Sequence, residues 1–190
     1  TNEINRMLIV DMMLRKALKG HVDLLGPARK VAAELMEIPD FGSEEPNGFL
    51  APETKILMQL KKANLLVAGA AVQHYGTALV DEQEALMRLA DMAMEVYVLE
   101  SDLLKTQRLS ARLSDQENEI RGILGTLQAH HAAEKCLSAG REVIMGLPEN
   151  DEQRMMLMGL RRFTKTPSVN LKNLRRKVAQ YVLEKGKYPF

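Results

Sequence analysis

Apolar positions recur along most of this chain at intervals of three and four residues, the spacing that lines side chains along one face of an α-helix. The first helical stretch runs from about Glu3 to Lys19. Ile4, Leu8, Met12 and Leu18 give it an apolar stripe, and Gly20 stops it by tolerating a left-handed backbone. Pro27 suits the first turn of a second helix, Ala28 to Glu37, and Pro39 blocks its continuation. A third helix, about Glu53 to Tyr75, carries Ile56, Leu60, Ala63, Val67, Ala70 and Ala71 on one broad face and stops at Gly76. Asp81-Glu82-Gln83-Glu84 has the order of a capping box. It is expected to open a fourth helix to about Arg108, with Leu86, Leu89, Ala90, Ala93, Met94, Tyr97 and Leu104 inward. Helices three and four are expected to form a tight antiparallel hairpin.

Ser114-Asp115-Gln116-Glu117 is a clearer capping box and starts a fifth helix. The pattern carries that helix to about Ala139 through Ile120, Leu124, Leu127, His131 and Ala132, and Gly140 is expected to break or bend it. A shorter helix after Asn150 carries Met155, Met156, Leu157 and Leu160, and the last spans Leu171 to Glu184. The fold class expected is all-α, an antiparallel helical bundle.

Composition agrees. Only 4% of the 190 residues are aromatic and Trp is absent, while Ala, Leu, Met, Glu, Lys and Arg dominate, a helix-forming set. The length allows a sizeable core in one or two domains. A formal net charge of +1 gives no overall steer toward nucleic acid or any strongly charged partner. Cys136 is the single cysteine, which excludes an internal disulfide and a cysteine-based metal site and fits a reducing, intracellular setting. No targeting segment is visible, and the most apolar run, Ala63 to Val72, is half of the roughly 20 residues a bilayer span needs. A soluble or peripheral protein is expected. Thr1 is not an initiator residue, so the chain is read as cut from something longer.

Local charge is uneven. Glu34 to Thr54 holds Glu34, Glu37, Asp40, Glu44, Glu45 and Glu53 with no Lys or Arg, and its prolines and glycines mark a linker. That segment, with Phe41, Phe49 and Leu50, reads either as a solvated linker or as one that orders on a partner. From Arg161 to Lys187 there are nine basic residues against the single acid Glu184. They suit a solvated or intersubunit face, or one that meets phosphates of CoA or anionic lipid. The absence of interleaved aromatics argues against nucleic acid. His130-His131 invites a metal reading, but adjacent helical residues diverge by about 100° and nothing completes the site, so one half-buried and one exposed histidine are expected and no metal. His21 and His74 read the same way. Twelve methionines at helical spacing read as core filling. No glycine-rich phosphate loop, Gly-x-Ser-x-Gly elbow or Cys/His nucleophile occurs, so the chain shows no catalytic apparatus of its own.

The most specific stretch is the first. Thr1 or Asn2 can cap helix one, whose free N–H groups favour anionic ligands such as phosphates. Thr1-Asn2-Glu3-Ile4-Asn5-Arg6-Met7-Leu8-Ile9-Val10 closely resembles the stretch of acyl-CoA dehydrogenases that follows a Tyr-Glu-Gly tripeptide. Leu14-Arg15-Lys16-Ala17-Leu18-Lys19-Gly20 resembles the end of the last catalytic-domain helix in that family. Ala68 to Gly76 and Ala90 to Ser101 resemble the extra C-terminal helical domain of its very-long-chain type.

The resemblance implies residues 1–20 as the terminal helix of the catalytic domain, 21–52 as a connecting helix and acidic linker, and 53–190 as a C-terminal helical bundle. It implies a flavin-dependent oxidoreductase of fatty acid β-oxidation that converts acyl-CoA to trans-2-enoyl-CoA. A carboxylate takes the α-proton, the β-hydride passes to FAD, and electron-transferring flavoprotein reoxidises the flavin. In many members the base is the Glu of Tyr-Glu-Gly, which would fall before Thr1, so no catalytic residue is assigned here; others place it on another helix. Thr1, Asn2 and Glu3 match positions that contact FAD in the family. The resemblance further implies a homodimer, peripheral membrane contact, and a bacterial cytoplasm or mitochondrial matrix. The competing expectation is a free-standing helical adaptor or membrane-surface module built around the basic C-terminal stripe.

Overall fold

The computed structural model describes residues 1–35 and 46–189, the side chain of Leu18 excepted. Among the described residues seven α-helices follow one another: α1 Asn2–Leu18, α2 Leu25–Glu34, α3 Ala51–Tyr75, α4 Gln83–Leu109, α5 Asp115–Met145, α6 Asp151–Phe163 and α7 Leu171–Lys185. No strand occurs among the described residues. The architecture is the expected all-α bundle. Glu37, Pro39, Asp40, Phe41, Glu44 and Glu45 of the acidic stretch, with Met36 and the expected end of helix two, lie outside the described residues.

The main core lies between α3, α4, α5 and α6. The face read for helix three is fully inward: Ile56, Leu60, Ala63, Val67, Ala70 and Ala71 are all buried. Small side chains, Ala63 and Ala71 on α3, Ala90 on α4, and Ala129 and Ala132 on α5, are wholly inaccessible and let the backbones approach closely. Leu160 and Phe163 of α6 close that core. The hairpin of α3 and α4 forms, and α5 packs along both.

Helix ends follow local chemistry. Ser114 caps α5, its Oγ accepting from the Glu117 amide at 3.3 Å while its own amide donates to Glu117 Oε2 at 2.9 Å. Asn150 and Asn170 cap α6 and α7 by accepting from the Gln153 and Asn173 amides at 2.8 and 3.1 Å. At the far end of α5, the buried Gln153 amide donates to the Ile144 and Leu147 carbonyls at 3.1 and 2.8 Å, satisfying acceptors the helix leaves open.

Several sequence expectations fail. The Asp81-Glu82-Gln83-Glu84 box does not form: Gly76–Asp81 winds into a 3₁₀ turn, and α4 starts at Gln83 without a side-chain cap on Glu82. Helix two starts at Leu25, earlier than Ala28, because the Asp23 carboxylate accepts from the Gly26 amide at 2.9 Å. Gly140 neither breaks nor ends α5, which runs on to Met145. It is a close-contact point, since a Cβ there would lie 2.9 Å from Leu160 Cδ1 and 3.2 Å from Val67 Cγ2. Tyr97 and Leu104 point outward, 72% and 58% exposed, because α4 turns Met92, Leu99 and Leu103 to the core instead.

Ile4, Leu8 and Met12 of α1 are exposed, whereas Val10 is buried and Met7, Ile9 and Leu14 pack on the core. His131 is exposed and its neighbour His130 is the buried member of the pair. Of the methionines, Met92 is fully buried and Met12, Met13, Met58, Met145 and Met158 are exposed, so the set is not uniform core filling.

α7 stands apart. It packs on α5 through a separate small cluster of Ile120, Ile123 and Tyr181, joined by the half-buried Leu127, Leu174 and Val178.

Candidate functional site

Thr1, Asn2 and Glu3 come together at the exposed N-terminal end of α1. Thr1 is the N-cap residue, and its carbonyl accepts from the Asn5 amide at 3.0 Å. Its hydroxyl makes no capping bond, so it competes for none of the first amides. The amides of the first turn point out of the helix as donors. The macrodipole adds partial positive charge to them, while the Glu3 carboxylate supplies an acceptor beside them. Such an end can meet a ligand that offers phosphates and hydroxyls together. The clefts between the described helices lie elsewhere and are not lined by these residues.

The direction in which α1 points is set by contacts absent from the sequence reading. Arg6 Nε lies 3.2 Å from Asp91 Oδ1 on α4. Asp91 also meets Arg88 at 3.3 Å, and Arg88 reaches Glu142 on α5. The hydrogen bond to Glu142, then the Asp91 contact, holds the Arg88 guanidinium above its ordinary pKa despite the opposing effect of burial. This line of charges ties α1 to α4 and α5. Beneath it, Val10, Leu14, Leu65, Val72 and Leu89 line an apolar cleft of about 120 Å³ between α1, α3 and α4. Arg6 was legible as part of the first motif, but its partner, far along the chain, carried no local signal.

The remaining candidates separate. His131 Nε2 sits 3.8 Å from Glu95, His130 is buried with its Nε2 unpaired, and His74 meets Tyr75 edge-on at 4.7 Å between centroids. Among the described residues no three His, Cys, Asp or Glu side chains are grouped to hold a metal ion. Cys136 is buried among apolar neighbours, which pushes its thiol up to about 12 and leaves it protonated and unreactive.

Comparison with known proteins follows the same outline. Residues 59–162 match the family model for the acyl-CoA dehydrogenase C-terminal domain. A probable acyl-CoA dehydrogenase of Bacillus subtilis (strain 168) is 34% identical over 189 residues, which is 99% of this chain and 31% of that protein. The crystal structure of an acyl-CoA dehydrogenase complexed with FAD from Bacillus anthracis superposes with a TM-score of 0.90 at 33% identity, over 100% of this chain and 32% of that one. The chain thus spans about a third of the length of the relatives it matches. With motif, helix order and family model in agreement, the chain belongs to the acyl-CoA dehydrogenase family, in its C-terminal domain.

Proposed function

We propose that this chain is the C-terminal helical part of a flavin-dependent acyl-CoA dehydrogenase that converts an acyl-CoA to a trans-2-enoyl-CoA. One observation carries the reading: the whole chain aligns with a flavin-bound acyl-CoA dehydrogenase, and its most specific motif lies on an exposed, uncapped helix end. FAD, when bound, supplies the hydride acceptor. Here the Thr1 hydroxyl and the first-turn amides of α1 would act as donors toward it, and the Glu3 carboxylate would accept from a ligand hydroxyl. The ion pair of Arg6 with Asp91 positions that end by fixing α1 on the bundle. The α-proton goes to a carboxylate outside this chain, so the chain alone is inactive. Electron-transferring flavoprotein is the oxidant of the reduced flavin.

The outer stripe of α1, with Ile4, Leu8 and Met12 between 46% and 58% exposed, has the character of a packing face. We assign it to contact with the flavin-bearing part of the enzyme within a homodimer.

The test is made on the full-length protein that carries this chain. It is expected to show flavin absorbance in the visible, bleached by acyl-CoA. Glu3→Ala is expected to weaken flavin retention about tenfold, the worth of one hydrogen bond to a polar ligand. A colourless full-length protein with no acyl-CoA oxidation would overturn the reading and favour the adaptor module.

A further inference from the structure

The cleft bounded by α1, α2, α3 and α4 differs in chemistry from the others on the bundle. Leu14 of α1, Leu25 of α2, Leu65 and Val72 of α3 and Leu89 of α4 surround a volume of about 120 Å³. Charged side chains line the neighbouring clefts, Glu152 in one and Arg88 with Glu142 in another, whereas no charged residue lines this one and its one polar side chain is Asn64. The Asn64 amide group is engaged, donating to the Leu60 carbonyl of its own helix at 3.1 Å and to the Met92 carbonyl of α4 at 3.3 Å. An occupant therefore meets hydrocarbon and no free side-chain donor.

Such a space is costly to keep. Protein interiors fill to the density of organic crystals, and a cavity subtracts stability in proportion to its volume. In the main core Ala63, Ala71 and Ala90 let the helices close up until no solvent reaches them. Beside this cleft Ala68 and Ala93 are half-buried, and small side chains leave room instead. The walls are stopped at the edges of the cleft. α2 rests on α3 where Ala28 meets Gly69, so closely that a Cβ on Gly69 would lie 3.2 Å from the Ala28 Cβ, and α1 is tied to α4 by Arg6 and Asp91. Met13 and Leu25, 42% and 44% exposed, mark the entry, and the unbranched methionine side chain can swing aside.

Size and chemistry define the occupant. A peptide segment would bury amide groups with nothing to pair them, and a charged group would lose its hydration without a partner. A cavity of roughly 150 Å³ lined by aliphatic and aromatic side chains stays dry and takes benzene or xenon. We propose that this cleft is a binding site for a compact, neutral hydrocarbon group of about that size. The occupant touches α1 through Leu14 and the α3–α4 hairpin through Val72 and Leu89. Its binding stiffens the seat of the helix whose first end carries Thr1, Asn2 and Glu3. The proposal does not depend on the flavin reading.

The experiment uses the full-length protein that carries this chain, with xenon and fluorobenzene as probes. Crystals under xenon pressure are expected to show xenon against Leu14, Leu65, Val72 and Leu89. In solution the fluorine resonance of fluorobenzene is expected to broaden on adding the protein and to sharpen again with excess benzene. Hexanoate, which brings a carboxylate, is expected to compete about tenfold less well. Ala68→Leu, whose added carbons fill the cleft, is expected to weaken binding there about tenfold and to melt no lower than the parent. Ala93→Leu fills the same space from α4 and is expected to do the same. Amide exchange in α1 is expected to slow several-fold with benzene in the parent and not in the filled variants. Xenon absent from this cleft, or fluorobenzene binding that both variants leave unchanged, would overturn the proposal. Equal competition by hexanoate would overturn the neutral ligand class, and unaltered exchange in α1 would overturn the coupling to that helix.

Discussion

α5 serves two cores with two stretches of one helix, and they differ in depth. Its middle and C-terminal part gives Ala129, Ala132, Cys136 and Ile144, none accessible to solvent, to a core that also draws on α3, α4 and α6. Its first turns give Ile120 and Ile123 to a cluster whose one other buried member is Tyr181 of α7. Burial of apolar area is the dominant favourable contribution to folding, and a helix docked on one neighbour gains far less of it than one docked on three. α7 is therefore expected to open at a lower free energy than α3 or α5.

Phe163→Ala, in the main core and 1% exposed, is expected to cost about 3–5 kcal/mol in urea unfolding followed by circular dichroism. The labelling of Cys136, whose thiol burial keeps protonated, is expected to quicken in step, since both report the same cooperative unit. If labelling and unfolding diverge, α6 is not part of that core. Gly140→Val is expected to cost about 1–3 kcal/mol by driving a side chain into Leu160 and Val67.

Ser114→Ala is expected to cost about 1 kcal/mol at neutral pH by removing the α5 cap. Hydrogen bonds from Ser114 hold the Glu117 carboxyl below its ordinary 4.5, so the carboxylate's part of this contribution is fully present above that pH and is lost as the pH falls through the lowered value. The gap between variant and parent should narrow in acid without closing, because the bond from the Glu117 amide to the Ser114 hydroxyl does not titrate, and a gap independent of pH would show that the hydroxyl makes no use of the Glu117 carboxylate. The smallest global effect is expected from Tyr181→Ala: amide exchange in α7 should become fast while the main transition shifts by about 0.5 kcal/mol or less. A shift as large as that of Phe163→Ala would merge the two cores into one.

The legible parts of the fold were those written in short-range signals. The α3 face was read correctly because its apolar residues form a single continuous stripe. The Ser114 box formed because its partners lie three residues apart. α1 was misread because both of its sides are apolar, Ile4, Leu8 and Met12 on one and Met7, Val10 and Leu14 on the other, so periodicity could not choose between them. On α4, Tyr97 and Leu104 lie at helical spacing from true core residues, and only the position of the neighbours turns Leu99 and Leu103 inward. At the candidate site, Thr1, Asn2 and Glu3 were visible as a motif. The Arg6, Asp91, Arg88 and Glu142 line was not, because its two outer steps, Arg6 to Asp91 and Arg88 to Glu142, join helices distant in sequence.

Helical periodicity, caps and stops lie within a few residues of one another, and from them the sequence by itself determined that this chain is a succession of helices, with the motif that carries its family at the first helix end. Which face of each helix is buried, that Gly140 is a contact and not a break, and that α7 keeps a core of its own were decided by tertiary structure. The reason is physical: a helix with apolar residues on more than one side is stable in several orientations, and only the surface it meets selects one of them.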